Sequence, residues 1–283
     1  MDNNLIIQDR IVKGYKENGI ITVEIPEGIV AISDNAFSDF SNICNIKLPH
    51  SLVMIGNNCF SNCPKLKSID LTNVCSIGVG AFSNCTSLES LTFGEEIYYL
   101  PNAAFSGCVT LTEVKLPDNI TYIGCECFRD CTSLVDIDMS GVMEIDNNAF
   151  EHCSELYNLT LPKSLFHISS NAFSFCEKLS TVIIQNRFVD IDESAFEHSV
   201  NFVIKAVQFS TSQNFAHQLN YKYQPIIVDG DYRMVSDEQL ETLSTSNIMV
   251  QVRKINENEN LIRYDKSATS RIASLIGGEN NVQ

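Results

Sequence analysis

One phenylalanine recurs along this chain at nearly constant spacing: Phe37, Phe60, Phe82, Phe105, Phe128, Phe150, Phe173 and Phe196. The steps are 23, 22, 23, 23, 22, 23 and 23 residues. A unit this short cannot bury both of its faces alone, so neighbouring units must stack and share one core. Other columns keep the same phase. Five residues before each Phe stand Ile32, Ile55, Ile77, Leu100, Ile123, Ile145, Ile168 and Ile191. Three after it, Cys63, Cys85, Cys108, Cys131, Cys153 and Cys176 form a thiol column, begun by Phe40 and ended by Ser199. Six after it come Ile43, Leu66, Leu88, Leu111, Leu134, Leu156, Leu179 and Phe202.

Each unit ends in a period-2 alternation, as in Val114 and Leu116, which marks a short strand. Pro49, Pro117 and Pro162 close such strands, because proline cannot donate to a ladder. The stretch from Ile123 to Cys131 is too short for a long helix, and we expect a second short strand followed by a helical turn around Ala-Phe. Eight coils at a strand spacing of ~4.8 Å make a solenoid roughly 35–40 Å long.

The run Ile123-Gly124-Cys125-Glu126-Cys127-Phe128-Arg129-Asp130-Cys131-Thr132-Ser133-Leu134 resembles the BspA-type leucine-rich repeat family. The resemblance covers residues 26–206 and implies a leucine-rich-repeat solenoid, a β-rich α/β repeat of eight coils. Members of that family occur in bacteria and parasitic protists, often as surface adhesins or binding proteins.

The ends differ from the repeat. Residues 5–25 alternate around Asn18-Gly19, a hairpin-turn pair, so strands over 5–7 and 20–23 are expected to form an N-terminal hairpin cap over 1–25. Residues 207–228 read as a helix over 210–219 and a strand over 221–228, a C-terminal helix-strand cap. Residues 229–283 form an extension of unknown role. There, Ser236-Asp237-Glu238-Gln239 is a capping-box pattern, residues 248–264 suggest a hairpin, and 267–276 a last helix stopped by Gly277-Gly278.

Charge narrows the partners. Nineteen Lys and Arg against 35 Asp and Glu give a net charge of −16. Nucleic acid and anionic lipid need a basic face, so neither is expected as a partner. No apolar run is long enough for a transmembrane segment. The first residues lack the basic and apolar regions of a signal peptide. Eleven cysteines in such a chain then point to reduced thiols in the cytoplasm; export to the cell surface by another route is the alternative.

The Cys column reads as buried thiols acting as small hydrophobes. Cys125, Cys127 and Cys131 lack the paired spacing of a zinc site, so no metal is expected. The five histidines show no nucleophile-base spacing, and no phosphate-cradling loop is present. We therefore expect no catalytic residues and no cofactor. The candidate contact surface is the outward side of the strands, including Glu113, Lys115, Asp136 and Asp138. A second column six before each Phe includes Tyr99, Tyr122 and His167, and paired tyrosines are common interface anchors. The expected function is a monomeric, non-enzymatic protein-protein interaction module that binds an unknown protein through this face, with the C-terminal extension as a further contact. An adhesin for host matrix or glycan is the alternative.

Overall fold

The computed structural model describes residues 4–16, 19 and 21–226. These belong to the first of two units into which the chain divides, Met1–Ile226. The elements expected over 229–283 lie outside the described residues.

Each coil carries two strands. A long one, such as Asp136–Asp138, presents Ile137 inward and both aspartates outward. A two-residue one, such as Tyr122–Ile123, puts the isoleucine in the core. The two kinds stack into separate parallel sheets. Long strands run from Thr22–Glu24 to Lys222–Ile226, ten in all among the described residues. The array therefore extends past the eight Phe-bearing coils at both ends. Short strands pair in strict register, Tyr99 with Tyr122, Tyr122 with Glu144, Glu144 with His167, and His167 with Asp190.

The eight repeating phenylalanines are fully buried and form one column of near-parallel rings. Successive centroids lie 5.2, 5.4, 5.5, 5.5, 5.4, 5.1 and 5.3 Å apart. The spacing of the coils sets this offset stack, which adds about 0.5–1.5 kcal/mol per pair to the burial of each ring. Next to every Phe stands a small buried residue, Ala or Cys, because the turn leaves no room for more.

The turn that carries the Phe is not helical. Residues two before and two after the Phe are left-handed in coil after coil: Asn35 and Asp39, Asn58 and Asn62, Gly80 and Asn84, Asn148 and His152. This alternation turns the amides toward the next coil. Phe105 N–H donates to the Cys127 carbonyl at 2.9 Å, and Ala103 and Gly107 donate to Cys125 and Arg129 at 2.8 Å each. A helical turn would spend those donors within its own coil. Stacking therefore wins over local helix because it satisfies the amides and places the ring inward.

The thiol column completes the core. Cys63, Cys85, Cys108, Cys131, Cys153 and Cys176 donate S–H to the carbonyls of Phe37, Phe60, Phe82, Phe105, Phe128 and Phe150 at 3.2–3.4 Å. Ser199 ends the series, its hydroxyl donating to the Phe173 carbonyl at 2.7 Å. All eleven cysteines are free thiols.

The caps follow from leaving no Phe ring uncovered. Tyr15 and Phe40 close the first ring, with centroids 6.3 and 5.8 Å from Phe37. Tyr15 belongs to Ile11–Tyr15, which pairs antiparallel with Leu5–Gln8. The hairpin turn is Asp9-Arg10, both left-handed as a two-residue hairpin needs; Asn18 of the expected turn lies outside the described residues. Thr22–Glu24 instead pairs in parallel with Asn45–Lys47 as the first long rung. At the far end, the helix Thr211–Gln218 starts on Ser210, whose hydroxyl accepts from Gln213 N–H at 3.1 Å. Its Phe215, with Phe202, covers Phe196. Pro225 sits in the final long strand, where it removes a donor and blunts the edge.

Candidate functional site

The sequence-predicted contact residues fall on two different sheets. Glu113, Lys115, Asp136 and Asp138 occupy the long-strand sheet. Glu113 registers against Asp136, and Lys115 against Asp138; all four are exposed. Tyr99, Tyr122 and His167 occupy the short-strand sheet, half-buried. The two groups therefore form two faces rather than one.

The long-strand face is a grid of polar side chains. Its columns run Asn45, Ser68, Ser90, Glu113, Asp136, Asn158 and Lys47, Asp70, Thr92, Lys115, Asp138, Thr160. Lys47 reaches back one rung to Glu24 at 2.7 Å, which lowers the Glu24 carboxyl below the usual range and raises the Lys47 ammonium. Just before the strands, Val135 and Tyr157 are 44% and 52% exposed, a small apolar spot beside Asp136 and Asn158.

The short-strand face is more constrained. The Tyr122 hydroxyl donates to Asp146 at 2.5 Å. Burial, helped by that bond and the neighbouring carboxylates, pushes the phenol well above its ordinary value. Glu144 is buried between Tyr122 and His167 in register. His167 Nδ1 lies 3.0 Å from Asp190. Asp192 accepts from the Ser194 hydroxyl and amide, which lowers its carboxyl. Tyr98, one residue from the Tyr99 column, is 42% exposed.

The turns add a third side that sequence reasoning missed. His152, Phe175 and His198 stack there, with centroids 4.5 and 4.4 Å apart. Beside them Arg129 bonds Glu126 and Glu151 at 3.2 Å each. The Asn, Asp and Gly residues that stand at most of the positions two before and two after the Phe, such as Asn58, Asn62, Gly80 and Asn84, were the available signal, since those types favour left-handed backbone.

The buried thiols of the column offer no nucleophile. Burial pushes Cys63 and Cys176 up to about 12 and drives Cys85, Cys108, Cys131 and Cys153 upward as well, so each holds its proton. Among the described residues no three His, Cys, Asp or Glu side chains come close enough to hold a metal ion, and no helix is long and apolar enough to cross a membrane.

Residues 13–135 and 99–224 match a family model described as a BspA type leucine rich repeat region, in six copies. Among solved structures, a leucine-rich repeat protein from Bacteroides ovatus is similar at 25% identity and a TM-score of 0.57, over 69% of this chain and 58% of that one. The T. pallidum leucine-rich repeat protein is similar at 26% identity and a TM-score of 0.56, over 77% of this chain and 91% of that one. A leucine-rich repeat protein from Eubacterium ventriosum follows at 26% identity and a TM-score of 0.51, over 59% of this chain and 46% of that one. The chain thus spans less than two thirds of the Bacteroides and Eubacterium proteins. No curated protein matches it.

Proposed function

The chain belongs to the BspA-type leucine-rich repeat family, and on that premise we propose that it is a non-enzymatic protein-binding module whose sheet faces are its contact surfaces. The leucine-rich repeat fold is generally a scaffold. Here the supporting observation is the register: outward side chains such as Glu113, Asp136, Lys115 and Asp138 are held in straight columns by a fully buried core. A partner meeting such a grid finds the backbone already ordered, so only the side-chain rotamers remain to be fixed on binding.

The test is a pull-down from source-cell lysate with crosslinking mass spectrometry, using the full chain as bait. The variants are Glu113→Lys/Asp136→Lys on the long-strand sheet and Tyr99→Ala/Tyr122→Ala on the short-strand sheet. A partner retained by the wild type and released by either variant supports the proposal. Wild type that captures no protein but binds a glycan array overturns it in favour of a glycan-binding role.

A further inference from the structure

The two sheets differ in one respect that bears on what they can bind. In each coil the short strand, its flanks and the residues up to the Phe span seven positions: 30–36, 53–59, 75–81, 98–104, 121–127, 143–149, 166–172 and 189–195. None of these holds a Lys or Arg. The closest in sequence are Arg129, in the turn after Phe128, and Arg187, before the last short strand, each two residues outside. The long-strand side, by contrast, carries Lys47, Lys67, Lys115, Lys205 and Lys222.

Carboxylates gather where the cations are missing. Glu144 and Asp146 lie in one coil, and Asp190, Asp192 and Glu193 two coils on, with His167 between. Alongside runs an apolar stripe of Tyr98, Thr121, Met143 and Phe166. Backbone bonds hold it in line: Thr121 N–H to the Tyr98 carbonyl at 3.0 Å, Met143 to Thr121 at 2.8 Å, and Phe166 to Met143 at 2.9 Å. Tyr98 is exposed, and Met143, Phe166, Tyr99 and Tyr122 are half-buried. An apolar stripe beside a carboxylate row, with no lysine or arginine in the five short strands from Tyr99–Leu100 to Asp190–Ile191, is complementary in charge to a cationic chain and repels nucleic acid. It also repels a second copy of this chain, whose net charge is −16.

We propose that the short-strand sheet between the Phe105 and Phe196 coils docks a lysine- or arginine-bearing segment of a protein partner. Its cations meet Asp146, Asp190, Asp192 and Glu193, and its apolar side chains lie on the Tyr98–Phe166 stripe. This rests on the protein-binding role and adds the face and the partner chemistry.

The test uses the full chain and a fluorescein-labelled peptide of alternating Lys and Leu, read by anisotropy. The short-sheet variant Asp190→Lys/Glu193→Lys is compared with the control Glu89→Lys/Glu95→Lys, two exposed carboxylates outside both contact columns, which changes net charge equally. The short-sheet variant is expected to weaken binding about tenfold or more, the control less than about twofold, and added salt to weaken both. Equal losses in the two variants mean attraction to net charge alone and overturn the inference. So does a Lys-Ser peptide that binds as tightly as Lys-Leu, or a Tyr98→Ala/Met143→Ala variant that binds Lys-Leu unchanged. Release of the captured cellular partner by the long-sheet variant alone overturns this inference and leaves the protein-binding role standing.

Discussion

Raising the pH is expected to unfold the solenoid through its own core. Eight fully buried thiols, Cys59, Cys63, Cys85, Cys108, Cys127, Cys131, Cys153 and Cys176, are driven above the ordinary thiol value of 9.0, chiefly by burial. A raised value means the folded chain holds these protons after the unfolded chain has released them. Stability is therefore full below about pH 9 and is lost as the pH climbs toward the folded values. At about pH 10 each such thiol costs about 1.4 kcal/mol. Eight together cost about 11 kcal/mol, as much as the whole stability of many domains. The chain has no tryptophan, so far-UV circular dichroism during urea titration, under reducing conditions, is the suitable assay. Thiolate absorbance in the native and unfolded states gives the proton count independently. The triple variant Cys108→Ser/Cys131→Ser/Cys153→Ser should recover about 4 kcal/mol of the loss at about pH 10, because a serine already fills the same position at Ser199. A urea midpoint that stays level between about pH 8 and 10, or native thiolate appearing with an ordinary midpoint, would refute this account.

Three further outcomes are expected. Phe128→Ala removes a ring stacked 5.5 Å from Phe105 and 5.4 Å from Phe150; it should cost about 3–5 kcal/mol in urea titration, and Phe128→Leu under about 1.5. An Ellman titration of the native chain should show rapid reaction at the two half-buried thiols, Cys44 and Cys125, with the nine buried ones reacting only after denaturation. Gly141→Ala should lower the melting temperature, because a Cβ there would strike the Asp118 carbonyl of the coil before it; an unchanged melting point would mean the turn has slack.

Much of this architecture was legible in the residues. The Phe, Ile and Leu columns announce themselves because each position is buried in the same way in every coil. The thiol column is equally plain, and Ser199 marks its end. The turns were misjudged as helical because apolar spacing over 123–131 cannot separate one helical turn from a left-handed alternation. The distinction lay in the polar positions, where Asn58, Asn62, Asn84 and Asn148 recur. Glycine is the usual sign of a hairpin turn, so the residues point to Asn18-Gly19 rather than to the N-terminal pair that the strands Leu5–Gln8 and Ile11–Tyr15 share. Asp9-Arg10 carries no glycine, yet its strands cap the Phe37 ring. For the candidate surfaces, period-2 alternation identified which residues point outward. It could not show that Tyr122 and Asp136 belong to different sheets, because the path between two strands depends on a turn whose backbone is not written in side-chain hydropathy.

The alternating turns also order the electrostatics of the backbone. In the coils from Phe37 to Phe150, three amides per turn point toward the next coil and the carbonyls they meet point back. The dipoles of these turn peptides, about 3.5 D each, add along the turn column, while amides beside the short strands, such as those of Val53 and Gly56, point back to the coil before. The positive end of the turn column lies at the last coils. There the free amide of Ser194 is met by the Asp192 carboxylate at 2.9 Å, and Asp190, Glu193 and Glu197 stand nearby in sequence. At the end of the turn column a carboxylate thus takes the place that a carbonyl of the next coil fills elsewhere.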